Sequence, residues 1–323
     1  MKVLLISNQH QNAKGVGNPI MYRMKSALAQ DPRIDKVEFI PAYSSLRSLN
    51  YIRQNSKDYD IIHIHFGGIY AFFIWFWIVG IKAKRIITFH GTDIHAKAIK
   101  TAMSSMEKLK IRLNQIASFL SIRMFDMCGF VAKEMMNYVP IYLEAQMKKK
   151  AFLQPLGVDY STFVPLEATL AQDHLGLDHK KYILFSDISN TNIKRRDIAE
   201  SIAKELGPDY SLLIMSGVKP DEVPYYINAC EFALLTSDEE GSPNIIREVL
   251  SLNKPFFSVD VGDAAKQLDG LKNSSIISRK PNEAAKRILE VNAEPYTDNT
   301  RESRKCVLDF VAINKMIVDI YLK

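Results

Sequence analysis

The chain has 323 residues, 47% hydrophobic and 24% charged, close to the average of soluble proteins. That balance excludes a disordered or fibrous chain, and the length suits two domains. The net charge of +6 is unevenly spread: residues 1–160 carry 22 Lys plus Arg against 11 Asp plus Glu, and the remainder carries 20 against 25. The basic half suits contact with something anionic, such as a membrane surface or a phosphate-bearing acceptor, and equally suits ordinary solvated charge. Cys128, Cys230 and Cys306 lie far apart without metal-ligand spacing, which fits a reducing cytosol.

Taken in chain order, short runs rich in Val, Ile and Phe alternate with amphipathic stretches. The opening run, Val3–Ser7, reads as a β-strand and is too short for a signal-peptide core. Next, Asn12–Leu28 contains Gly15 and Gly17, which permit a tight loop, and a helix is expected over Ile20–Gln30. Strands follow at Val37–Pro41 and Ile61–His65. Asp58-Tyr-Asp60 spells an Asp-x-Asp metal pattern, but it precedes its strand, at the wrong end for a ligand. His63 and His65 share one strand face with no third metal ligand near in sequence, so packing accounts for them.

Thirteen apolar residues, Ile69–Ile81, come next. As a helix they span about 20 Å, whereas a bilayer core needs about 20 residues. A buried helix is expected. Its rival is a helix in a membrane interface, which Phe72, Phe73, Trp75 and Trp77 followed by Lys82, Lys84 and Arg85 would suit. The strand Arg85–His90 ends in FHGTD, Phe89–Asp93, placing His90 at the strand end and Asp93 just after it. Helices are expected at Met106–Phe125 and Lys133–Tyr138, strands at Gly129–Ala132 and Phe152–Pro155, and solvated surface at Lys148–Lys150.

The segment Val158–Lys180 reads as a loop and sets the domain boundary, giving domains of 1–160 and 161–323. A second series follows, with strands at Tyr182–Ser186, Ser211–Ile214, Phe232–Thr236, Phe256–Val259 and Ser274–Ile277. Its helices are expected at Asp197–Leu206, Asp221–Ala229, Ile245–Leu252 and Glu283–Val291. A last helix, 304–322, has no strand after it and is free to pack back on the N-terminal domain. The alternation predicts βαβ units and parallel sheets, in which ligands bind beyond the carboxyl ends of the strands.

Two stretches in this half carry chemistry. In SDEEGSPNIIREVL, Ser237–Leu250, Glu240 and Glu248 stand seven residues apart around the turn Gly241-Ser242-Pro243-Asn244. Ser242 is expected as the N-cap and Pro243 as the first helical residue. The N–H groups of that helix start, with Ile245 in its first turn, favour anionic oxygens. Glu240 would accept hydrogen bonds from sugar hydroxyls, and Glu248 would hold ribose hydroxyls. In YILFSDISNTNIKRRDIAESIAKEL, Lys194 stands where a cation neutralises a leaving diphosphate, with Arg195 and Arg196 beside it.

The string EGSPNIIREVLSLNKPFFSVDVGD resembles the donor-binding signature of the family-4 retaining glycosyltransferases, in the branch that includes teichuronic-acid-type enzymes of bacterial polysaccharides. The likeness covers nearly the whole chain and is strongest from Tyr182 to Asp263. It implies the α/β GT-B fold, two Rossmann-like doubly wound domains facing across a cleft, with the acceptor domain first and the donor domain second. It also implies roles. Glu240 contacts the donor sugar, Glu248 the ribose, and Gly241 through Ile245 the sugar and diphosphate, with the Gly262 turn closing the pocket. Lys194 matches the family's lysine, while Ile188 stands where the family has arginine, so Arg195 or Arg196 would have to complete the pair of cations. Gly15 and Gly17 resemble the acceptor domain's glycine-rich loop facing the donor phosphates, and His90 the family's histidine near the transferred sugar. Asp93 is placed at the acceptor.

The resemblance implies a hexosyltransferase-type enzyme moving a sugar from a UDP- or GDP-sugar to a saccharide or a lipid-linked saccharide, with no metal and no other cofactor. It would work in the cytoplasm or at the inner face of the membrane, with peripheral membrane contact through the basic half and no nucleic-acid partner. A nucleotide-sugar epimerase of the same fold and a degenerate, non-catalytic nucleotide-sugar-binding protein are the alternatives.

Overall fold

The computed structural model describes residues 1–7, 19–41, 46–91, 93–94, 104–187, 192–293 and 299–323, without the side chains of 19 and 306–308. It divides into two compact units, one of 1–156 with 310–323 and one of 157–309.

Unit 1 runs β1 (Lys2–Ser7), α1 (Pro19–Leu28), β2 (Lys36–Pro41), α2 (Leu46–Asn55), β3 (Ile61–His65), α3 (Ile69–Ile78), β4 (Lys84–Phe89), α4 (Ser105–Met124), β5 (Met127–Phe130), α5 (Ile141–Lys150) and β6 (Ala151–Leu153). The strands form one parallel sheet in the order β2-β1-β3-β4-β5-β6. Helices cover both faces, so β1 is a run of apolar residues with no alternation, Val3 through Ile6 being fully buried. Lys133–Tyr138 is a 3₁₀ turn, where the sequence had suggested an α-helix.

Unit 2 runs α6 (Ala168–Leu175), β7 (Lys181–Ser186), α7 (Arg196–Leu206), β8 (Tyr210–Met215), α8 (Val223–Asn228), β9 (Cys230–Leu235), α9 (Asn244–Ser251), β10 (Phe256–Ser258), α10 (Ala264–Leu268), β11 (Ser275–Ile276), α11 (Pro281–Asn292) and α12 (Thr300–Leu308). Its sheet is also parallel, ordered β11-β10-β9-β7-β8. On α7, Ile198, Ala199, Ile202, Ala203 and Leu206 recur at helical spacing and enter the core beside Phe185, Phe232 and Phe257.

Three expectations need correction. The supposed loop 158–180 contains α6, which ends at Gly176 in the left-handed conformation (φ 66°), a helix stop that glycine takes without strain. The last helix is two: Asp309 turns extended (φ −60°, ψ 128°) and separates α12 from α13 (Phe310–Tyr321). No proline or glycine marks that break, so periodicity ran straight through it. α13 joins unit 1, burying Ile317 and Val318 with Val3, Leu5 and Met21 on one face of the sheet. Lastly, α3 is only half buried: Tyr70, Ala71, Ile74 and Ile78 face the core, whereas Phe73 and Phe76 are 49% and 46% exposed.

Candidate functional site

In a doubly wound sheet the ligand crevice lies where the strand order reverses, beyond the carboxyl ends of the two flanking strands. In unit 2 that point is between β7 and β9. The loop after β7 is described at Asp187 and again from Asn192, so Ile188 lies outside the described residues. A 3₁₀ turn over Asn192–Lys194 leads to α7, and the loop after β9 carries Ser237 to Pro243.

These two loops bring Lys194 and Glu240 together. Lys194 Nζ donates to Glu240 Oε1 at 2.6 Å, and Ser237 Oγ donates to the same oxygen at 2.8 Å. The two charged side chains are 22% and 16% exposed, so the pair is shielded yet open to a ligand. Further hydrogen bonds stitch the loops: Asp238 N–H donates to the Ile193 carbonyl at 2.8 Å, and the Thr236 hydroxyl is shared between the Lys194 and Arg195 carbonyls at 3.0 and 2.9 Å. Arg195 adopts a left-handed backbone (φ 52°) and directs its guanidinium to Asp197 and Asp238. Arg196 instead pairs with Glu200 on the exposed side of α7. Arg279 braces the loop from β11's side, donating to the carbonyls of Thr236 and Ser237 at 3.1 and 2.8 Å.

The turn before α9 is built differently from the expectation. Ser242 is not the cap. Its Oγ donates to Asp263 Oδ2 at 2.7 Å and accepts from Arg247 Nη2. Charged partners make stronger hydrogen bonds than a backbone N–H, so they take the hydroxyl. Pro243 becomes the N-cap, without a side-chain cap, and the helix begins at Asn244. Asn244 Nδ2 donates to Glu248 Oε1 at 3.0 Å, and Asn244, Ile245 and Glu248 are all half-buried. Arg247 is buried beside Asp263 (3.4 Å), burial drawing its pKa down against the pull of Asp263 and Glu248. Gln267 holds the other Asp263 oxygen at 2.6 Å. Gly262 (φ 58°) passes so close that a Cβ there would stand 2.5 Å from the Gly241 carbonyl oxygen. Neither Arg247 nor Asp263 was singled out in the sequence. The available signal was an arginine on an otherwise apolar face of IIREVL.

Unit 1 reverses its strand order between β1 and β3. Gly15 and Gly17, in the loop after β1, lie outside the described residues. At the ends of β3 and β4, His65 Nδ1 and His90 Nε2 are 3.0 Å apart, and the His90 ring stacks on Phe66 at 4.0 Å between centroids. His63 meets Tyr321 Oη at 2.7 Å and Thr88 Oγ1 at 2.8 Å. Burial pushes the pKa of His63 and of His90 down to about 3, and that of His65 well below its usual value. All three imidazoles are therefore neutral at pH 7, and a neutral His90 offers a hydrogen bond without a charge. Phe66 has a left-handed backbone (φ 72°), uncommon for a bulky residue and found where a site is held under strain. Asp93 is buried, and its carboxylate accepts from the N–H groups of Gly67, His90 and Gly91 at 2.7 to 3.1 Å. Burial raises its pKa while those N–H bonds oppose the rise. Asp93 thus ties the two strand-end loops together. Asp60 Oδ2, by contrast, takes the Lys2 N–H at the other end of the sheet.

Solved structures share this architecture along the whole chain. A sucrose-phosphate synthase from Thermosynechococcus elongatus superposes with a TM-score of 0.75 at 15% identity, covering 99% of this chain and 98% of that one. HepE of Anabaena, in complex with UDP, gives 0.69 at 15% identity over 99% of both chains. The chain has the GT-B fold. The catalytic domain of starch synthase IV from Arabidopsis thaliana, bound to ADP and acarbose, gives 0.66 at 12% identity over 99% of this chain and 98% of that one. No family model matches the sequence, and neither does any curated protein.

Proposed function

We propose that this protein is a retaining, metal-independent glycosyltransferase that takes a sugar from a UDP- or GDP-sugar and passes it to a saccharide or lipid-linked saccharide. Its setting in this reading is the synthesis of bacterial surface polysaccharide on the cytoplasmic side of the membrane. The observation that carries the reading is the Lys194–Glu240 pair, joined at 2.6 Å at the strand-order reversal of unit 2, next to the uncapped start of α9. The fold neighbours add support: HepE binds UDP and UDP-glucose, and starch synthase IV binds ADP.

In this mechanism the donor's diphosphate meets the N–H groups at the start of α9 and the Lys194 ammonium, and Glu248 holds the ribose hydroxyls. Glu240 receives the hydroxyls of the transferred sugar. The bond from the anomeric carbon to the phosphate oxygen breaks. The acceptor oxygen bonds to the anomeric carbon from the same face, and the acceptor's proton passes to the departing phosphate. Rate then comes from positioning and from charge stabilised on the leaving group.

The test is a thermal-shift panel of UDP, GDP, ADP, CMP and their common sugars on the wild type and Glu248→Ala. A nucleotide at 100 times its dissociation constant stabilises by about 2.7 kcal/mol. One nucleotide is expected to shift the wild type and not the variant. Silence from every nucleotide at saturation removes the donor site and leaves a chain with the fold alone. Conversion of the donor sugar without any acceptor reassigns the chain as an epimerase.

A further inference from the structure

We propose that the outer face of α3 and α4 is a docking surface for an anionic lipid bilayer, on which the protein lies without crossing it. α3 and α4 pack together: Ile69 N–H donates to Asn114 Oδ1 at 3.1 Å, and Trp75 Nε1 to the Met124 carbonyl at 2.8 Å. The outside of this pair is apolar. Phe73 and Phe76 of α3 are 49% and 46% exposed, and Leu109, Leu113, Ile116 and Leu120 of α4 are 40% to 53% exposed. The four α4 positions are spaced four, three and four residues apart, so they form one stripe. A folded helix normally turns such a stripe inward, and α4 does bury a separate face through Ala117, Ser118, Ser121 and Ile122.

Charge selects the occupant. From Ile61 to Phe125 the chain has nine Lys plus Arg and two acids, Asp93 and Glu107. Asp93 is buried, and Glu107 is held in the capping box of Ser104. Exposed Arg112 and Arg123 flank one edge of the α4 stripe, Lys110 lies towards the other, and Lys82 follows α3. An apolar face with aromatics and a basic border matches the acyl and headgroup layers of an anionic membrane. A second copy docked through the same face would set these like charges against one another. Among the described residues no helix is long and apolar enough to cross a bilayer, so the contact is interfacial. α3 starts directly after Gly68, close to Phe66 and His90. Docking here sets the strand ends of unit 1 beside the headgroups. That purpose rests on the lipid-linked acceptor of the proposed function, whereas the binding itself needs no acceptor.

The experiment is co-sedimentation of the full chain with vesicles of phosphatidylcholine, alone or mixed with phosphatidylglycerol. Binding is expected to the mixed vesicles only and to weaken with salt. The double variants Phe73→Ser/Phe76→Ser and Leu113→Ser/Ile116→Ser each lose about tenfold or more in affinity, since each removes two membrane-facing apolar side chains. Arg112→Gln/Arg123→Gln weakens binding, and Leu289→Ser, an exposed apolar site on unit 2, leaves it unchanged. Absence of binding to the mixed vesicles, or binding that ignores the α3 and α4 variants, overturns the proposal. So does a dimer, seen by light scattering, that these variants dissociate while vesicles stay unbound. The nucleotide thermal shift, read on every variant, separates lost docking from lost fold. Vesicle binding by a chain that answers to no nucleotide leaves this surface standing while the transferase reading falls.

Discussion

The two units solve the same architectural problem with opposite chemistry. At the strand ends of unit 2, cations and carboxylates stand in pairs: Lys194 with Glu240, Arg195 and Arg279 with Asp238, and Arg247 with Asp263. At the strand ends of unit 1, burial holds three histidines neutral, and a buried carboxylate, Asp93, is answered by backbone N–H groups. Among the described residues, the strand ends of unit 2 are therefore built on ion pairs, and those of β3 and β4 in unit 1 on neutral imidazoles and backbone N–H groups. Fold sets where a site lies, and loop residues set what it can bind.

The largest way to sharpen this contrast is Lys194→Ala. Loss of a cation aimed at a leaving group lowers kcat by roughly a hundredfold to a thousandfold. Because Lys194 lies in a loop outside the hydrophobic core, and Ser237 still donates to Glu240 without it, the melting temperature should stay near that of the wild type. Steady-state rates with a thermal melt check both, and full activity would end the assigned role. Next in size is Asp263→Ala, which strands the buried Arg247 guanidinium. Removing one partner of a buried pair costs about 3 kcal/mol or more. Denaturant unfolding of unit 2 measures it, and a cost below about 1 kcal/mol, the range of surface pairs, would show that the pair is not a brace.

The last effect is in unit 1 and concerns pH; for one histidine it is the smallest over any single pH unit. His63 and His90 titrate near 3 when folded and near 6.5 when unfolded. Between those values the unfolded chain binds more protons, so stability is full above pH 6.5 and is lost as pH falls towards 3. The slope is up to about 1.4 kcal/mol per pH unit for each histidine. Melting of wild type and His90→Gln from pH 7.5 downwards (buffer range chosen about the usual histidine value) should show the variant with the shallower decline. Parallel curves would mean that His90 is not held neutral.

Much of the fold was legible because buried parallel strands are written as uninterrupted apolar runs. β3 was placed at its observed bounds, and most other strand ends fell within two residues. The α9 region was legible too, since glycine, proline and two spaced glutamates sit together in sequence. What escaped depends on distance or direction. Asp263 lies 16 residues from Arg247, and neither residue type announces a partner. α3 is apolar all round, so its pattern has no way to tell which side meets water. α4 carries two apolar faces, and its spacing does not say that one stays outside. The swap at Ser242 turns on which acceptor is nearest, a tertiary fact.

α13 has a consequence for how the protein is made. It covers one face of the unit 1 sheet and supplies the Tyr321 hydroxyl that His63 bonds at 2.7 Å, yet it is encoded after all of unit 2. A ribosome releases residues 157–309, an unbroken stretch, before it delivers the helix that the first 156 residues need. Unit 2 can close on its own contacts while unit 1 still waits with Val3, Leu5 and Met21 lacking their cover. By chain order alone, the contacts of unit 2 are complete before those of unit 1, the reverse of the usual first-domain-first order, because of this one helix.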